Sequence, residues 1–118
     1  MTDYRSTREA LNLLRSSNRI GSHDGCFRAS PGGESDAHIR RKFEVWLALR
    51  SRGRSVMTEA IFTNGARADV VDLDQRIVWE VLHSETQEEC AAKIKAYPPQ
   101  FQVRTTRTRD EWRPTNVD

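Results

Sequence analysis

Three short extended runs stand in close succession in the middle of the chain, at residues 56–62, 67–73 and 77–83, with nothing but turn-forming residues between them. The breaks are Thr63-Asn64-Gly65-Ala66 and Asp74-Gln75, and connections this short favour adjacent antiparallel strands. Helical patterns bracket the strands. Before them, Ile39, Phe43, Trp46, Leu47 and Leu49 recur at helical spacing, from a cap at Ser35 or Asp36 to a stop at Gly53. After them, the pattern predicts a helix over residues 85–97, capped by Ser84, with Glu85, Glu88 and Glu89 favourable to its dipole and Pro98-Pro99 ending it. Residues 101–105 read as a last strand. The order helix, three strands, helix, strand predicts an α/β fold with a small mixed sheet flanked by helices.

A chain of 118 residues suits one domain. Residues 6–17 carry Ala10, Leu11, Leu13 and Leu14 among polar neighbours, an amphipathic helix pattern that ends at Ser16-Ser17-Asn18. Residues 19–35 are rich in Gly, Ser and Asp and contain Pro31-Gly32-Gly33, so they read as irregular, with a short extended piece at Cys26-Phe27-Arg28. The division expected is an N-terminal helix and basic extension over residues 1–33, a core over 34–105 and a polar basic tail over 106–118. No apolar run approaches the roughly 18–20 residues that span a bilayer, and no signal-like segment opens the chain, so a cytoplasmic protein with no membrane partner is expected. Cys26 and Cys90 lie apart without a Cys-x-x-Cys pattern and read as reduced thiols. His23-Asp24-Gly25-Cys26 offers two soft ligands with no second pair to complete a zinc site.

The formal charge is +2, yet the basic residues, sixteen Arg and three Lys, are unevenly placed. Arg5, Arg8, Arg15, Arg19 and Arg28 mark the first third and Arg104, Arg107, Arg109 and Arg113 the end, while the acids gather between Glu59 and Glu89. A basic periphery around an acidic middle suits a metal-dependent enzyme acting on a polyanion. An ordinary solvated surface gives the same distribution.

A turn centred between Asp74 and Gln75 pairs Leu73 with Arg76, Val71 with Val78, and Asp69 with Glu80. Two carboxylates would then face each other with β-carbons about 4.5–5.5 Å apart, an unfavourable arrangement unless something offsets it. A divalent cation would do so. So would protonation of one carboxyl, neutralisation by Arg67, or a register slipped by one residue.

These strands, with Arg67-Ala68-Asp69-Val70-Val71 on the second and Trp79-Glu80-Val81-Leu82 on the third, resemble the PD-(D/E)XK, or restriction-endonuclease-like, superfamily and its αβββαβ core. The nearest likeness is to the nuclease domain of CoiA-like competence proteins, whose first core helix opens with a Glu-Ser-x-x-His-x-x-x-Lys pattern. Glu34-Ser35-Asp36-Ala37-His38-Ile39-Arg40-Arg41-Lys42 reproduces it, and the likeness runs from Glu34 to Val103. The resemblance implies a nuclease that hydrolyses phosphodiesters of DNA with Mg²⁺ or Mn²⁺, Asp69 and Glu80 holding the ion with the carbonyl of Val81 nearby. Nucleic-acid contacts are expected from Arg67, His38, Arg104 and Arg107, and a homodimer is left open.

In that family the position two after the Glu carries Lys, Gln or Glu, and here it is Leu82, which cannot position water. His83 points to the other face of the strand. Lys93, four residues before Tyr97 as in a helical Gln-x-x-x-Tyr feature, and Lys42, one turn after His38, are the candidates for a migrated catalytic lysine; a solvated helix face is the alternative for both. Glu59 joins the metal face if the first hairpin has a three-residue loop over Asn64-Gly65-Ala66, and the opposite face if Asn64-Gly65 is a two-residue turn. Glu44 reads as an exposed helix residue, Trp46 and Trp79 as core, and Trp112 as a more exposed ring able to stack on a base or partner. Ser84 beside His83 has no carboxylate to orient the imidazole as a triad requires. The degenerate motif leaves a second reading open, a catalytically inactive nuclease fold that binds nucleic acid or a protein.

Overall fold

The computed structural model describes residues 4–14 and 35–118. The expectations for Cys26-Phe27-Arg28, for His23-Asp24-Gly25-Cys26, for Glu34 and for the end of the first helix at Ser16-Ser17-Asn18 lie outside the described residues. Helix α1 is Tyr4–Leu11, shorter than its pattern, and Leu14 then forms an antiparallel bridge with Phe62. Helix α2, Asp36–Ser51, begins where the Ser35 hydroxyl accepts the His38 amide at 3.2 Å. It ends at Gly53, whose φ of +73° is the left-handed conformation that stops a helix.

Strands β1 (Val56–Ile61), β2 (Arg67–Asp72), β3 (Ile77–Leu82) and β4 (Gln102–Arg107) form one sheet in that spatial order. The first three pair antiparallel, and β4 lies parallel to β3, a pairing that needs a crossover. Helix α3, Gln87–Lys95, provides it. Its cap is Thr86 rather than Ser84: the Thr86 hydroxyl accepts the Glu89 amide and the Glu89 carboxylate accepts the Thr86 amide, a capping box that fixes the start two residues later. The first hairpin has a three-residue loop of Thr63, Asn64 and Gly65, closed by Phe62 N–H to Ala66 C=O at 2.8 Å, so it centres one residue before the loop expected. Gly65 takes the φ of +92° that this turn needs.

Two cores cover the two faces of the sheet. Ala10 of α1 and Leu14 just after it, with Tyr97 and Phe101 after α3, pack on Met57, Phe62, Val71 and Val78. Val45, Ala48 and Leu49 of α2 pack on Val56, Val70, Ile77 and Trp79. Each fully buried aliphatic side chain contributes about 1.5–3 kcal/mol. The end of the chain belongs to this second core: Pro114–Val117 is a 3-10 turn whose Val117 is buried, and Trp112 meets Trp79 edge-on with ring centroids 6.1 Å apart. Trp112 is therefore half-buried packing, not the exposed ring expected in a polar tail. Among the described residues no helix is long and apolar enough to cross a membrane.

The face α2 turns inward is not the one its apolar spacing predicts. Phe43 and Leu47 are each 46% exposed, while Arg41 and Lys42 are buried beside Val45, Ala48 and Leu49. Buried cations persist only where acceptors meet them. Arg41 finds the carbonyls of Arg107 and Asp110, at 2.8 and 2.6 Å, and so ties the last segment to α2. Lys42 meets the acidic centre of the sheet.

Candidate active site

The β2–β3 register is the one that brings Asp69 opposite Glu80: Val71 pairs with Val78, Val70 with Trp79 and Asp72 with Ile77. Regular pairing ends there, because the Asp69 side chain takes the strand's next donor, its Oδ2 accepting the Val81 amide at 2.8 Å. The N–H and C=O of a strand residue project to the same side, so the Val81 carbonyl also points toward this opening. On β1, Thr58 pairs with Val70 and Ala60 with Ala68, which sets Glu59 across from Asp69. Glu59 adopts φ +50°, a strained conformation for a residue with a Cβ and one that such sites often hold. Glu59 stands with Asp69, since both carboxylates meet the Lys42 ammonium.

Lys42 is the hub of this cluster. Its ammonium is wholly enclosed, 2.7 Å from Glu59 Oε1 and 3.2 Å from Asp69 Oδ1. The solvated alternative for Lys42 is thereby overturned. His38, one turn earlier on the same face of α2, sets Nε2 3.7 Å from Asp69 Oδ2, an electrostatic contact too long for a hydrogen bond, and that buried nitrogen has no hydrogen-bond partner among the described residues. Lys93 reaches in from α3, its Nζ 3.1 Å from Glu85 Oε1. His38, Glu59, Arg67, Asp69, Glu80 and Lys93 line a cavity of about 320 Å³, walled on the α3 side by Ala96 and Tyr97.

The two central carboxyls share one negative charge. Burial, then the charge of Asp69 and the contact with it, push the Glu80 carboxyl far above its ordinary 4.5, so it carries a proton at neutral pH. Burial also works to raise Asp69, but the His38 imidazole, the Glu80 carboxyl, the Lys42 charge and the Val81 amide outweigh it and hold Asp69 ionised. Protonation of one carboxyl, one of the four ways to relieve the pair, is therefore the one these surroundings favour. The contribution of a raised carboxyl to stability is complete below its unfolded value and lost as pH rises toward the folded one. The wild type is accordingly expected to lose up to about 1.4 kcal/mol per pH unit above pH 5 relative to Glu80→Gln, whose amide keeps the neutral form's shape. Urea denaturation of both proteins at several pH values reads this directly. Parallel midpoints would rule out a protonated Glu80.

Some expected residues stand apart. Arg104 stacks over Trp79 at 5.8 Å and lines a second cavity with Trp112. Arg107 turns to the β3–α3 connection and donates to the Glu85 carbonyl at 3.3 Å. Glu44 pairs with Arg41 at 3.5 Å along the helix, away from the cavity, and His83 Nδ1 meets the Thr108 hydroxyl at 2.7 Å. Leu82 is 1% exposed. Glu85, the partner of Lys93, was not among the residues expected, and nothing in a spacing of eight across a loop and a helix start signals that contact.

Comparison with protein-family models, with curated proteins and with solved structures found no match in any of the three.

Proposed function

We propose that this chain is a metal-dependent nuclease with a restriction-endonuclease-like core, hydrolysing phosphodiesters of DNA. The observation that carries the reading is the meeting of Asp69, Glu80 and the Val81 backbone at the point where β2 and β3 part, with cations from α2 and α3 beside them. The donors available are oxygens, which suits a hard cation such as Mg²⁺ or Mn²⁺. Among the described residues no three His, Cys, Asp or Glu side chains are grouped to hold a metal, and the groups that would hold an ion here are Asp69, Glu80 and the Val81 carbonyl. Such an ion would supply Lewis-acid chemistry, making the attacking water more acidic and offsetting the charge that develops on phosphate.

The chain's own part is electrostatic and positional. Lys42 adds to what keeps Asp69 ionised, while Arg67, His38 and Lys93 present positive or donating groups to an anion entering the cavity. In hydrolysis the water oxygen bonds to phosphorus as the bond to the leaving oxygen breaks. The water gives up one proton to solvent and the leaving oxygen takes one up, giving a phosphate end and a hydroxyl end.

The second reading, a nuclease fold kept for binding alone, draws on Leu82, whose buried side chain meets no substrate. Manganese binding tests the metal directly. Electron paramagnetic resonance is expected to show free Mn²⁺ falling on addition of wild-type protein and unchanged on addition of Asp69→Asn. An equal signal with both proteins would remove the metal from the account.

A further inference from the structure

Two lysines approach the carboxylates, and the structure gives them unequal freedom. Lys42 does not line the cavity; it is enclosed and committed to Glu59 and Asp69. Lys93 lines the cavity with its side chain 43% exposed. It rides on a helix that has no buried residue, so packing does little to fix its stem. What fixes it is Glu85. One Glu85 oxygen accepts Lys93 Nζ at 3.1 Å and the other accepts the His83 amide at 2.7 Å, while the Glu85 carbonyl accepts Arg107 Nη1 at 3.3 Å. Glu85 is thereby anchored to the end of β3, the strand that carries Glu80.

We infer that Glu85 is a positioning residue that holds the Lys93 ammonium at the cavity wall, where it meets the non-bridging oxygens of the reacting phosphate, while Lys42 is a fixed counter-ion that never touches substrate. The inference rests on reading the site as a phosphodiester hydrolase. It divides between two residues what a lysine built directly into the strand would do alone: the loop residue sets the place and the helix residue supplies the charge. A cation brought to the site by a lightly packed helix needs such an anchor, because an unheld lysine stem would spend its rotamer freedom at each turnover.

The test compares wild type, Asp69→Asn, Lys93→Met and Glu85→Gln on labelled DNA with Mg²⁺, and follows the side-chain ammonium resonances by ¹⁵N NMR with and without a short duplex in the absence of divalent ions. Lys93→Met is expected to lose about 100-fold in kcat with KM nearly unchanged, the usual cost of removing one donor to developing charge. Glu85→Gln is expected to lose about 10-fold in kcat, as outer partners commonly do. The Lys93 ammonium signal should be slowed in exchange in the wild type, shift with duplex, and vanish in Glu85→Gln. Lys93→Met within threefold of wild type, with Asp69→Asn inactive, would overturn the role of Lys93 while the hydrolase reading stands. Wild-type kcat and an unchanged ammonium signal in Glu85→Gln would overturn the role of Glu85. A wild type that cleaves nothing would overturn the hydrolase reading and this inference with it.

Discussion

Lys42→Met is expected to destabilise the fold by about 3–5 kcal/mol, the range found when one member of a buried charge cluster is removed. The cause is not lost packing, since methionine nearly matches the lysine stem in volume. It is the stranding of Glu59 and Asp69, which share the Lys42 ammonium at 2.7 and 3.2 Å and are both largely withdrawn from water. Against a typical domain stability of about 5–15 kcal/mol this is a large share, and the melting temperature should fall by roughly 10–20 °C. Adding Glu59→Gln to Lys42→Met should recover part of the loss, because it removes one of the stranded charges. Thermal and urea denaturation of the single and double variants decide it. A Lys42→Met protein as stable as the wild type would mean that the carboxylates do not depend on the lysine.

Asp69→Asn should have the largest effect on activity, a loss of about 1000-fold or more in kcat, or about 4 kcal/mol of transition-state stabilisation. Asp69 joins every part of the site: its oxygens receive the Val81 amide and the Lys42 ammonium, and its charge faces Glu80. Asparagine keeps the volume and can still accept the Val81 amide, so the fold should persist while the negative charge is gone. Circular dichroism matching the wild type, together with lost cleavage, would separate the chemical role from the structural one.

The strand register was legible because a tight turn dictates it. Asp74 and Gln75 at the centre of the second turn imply the Val71–Val78 pair, and that pair is observed. The side taken by Glu59 was not, because a loop of two or three residues fits the same Asn-Gly signal and each sends the side chain to a different face. Helix α2 misled for a related reason: its apolar stripe of Phe43 and Leu47 looks like the inward face, whereas Arg41 and Lys42 go inside to meet acceptors from β1, β2 and the end of the chain. Periodicity measures apolar content and is blind to a buried charge that has found its partner. The meeting of Asp69 and Glu80 could be read from the hairpin alone. The contact of Lys93 with Glu85 could not, since it depends on how the β3–α3 connection folds back on itself.

The most direct measurement of the central claim is cleavage of labelled single-stranded, duplex and branched DNA and RNA, with Mg²⁺, Mn²⁺ or EDTA, by wild type and Asp69→Asn in parallel. The account predicts cutting of DNA that needs the metal, stops with EDTA and is lost in Asp69→Asn; salt-sensitive binding of the same substrates with no cutting by either protein would contradict it and leave an α/β protein that only binds nucleic acid.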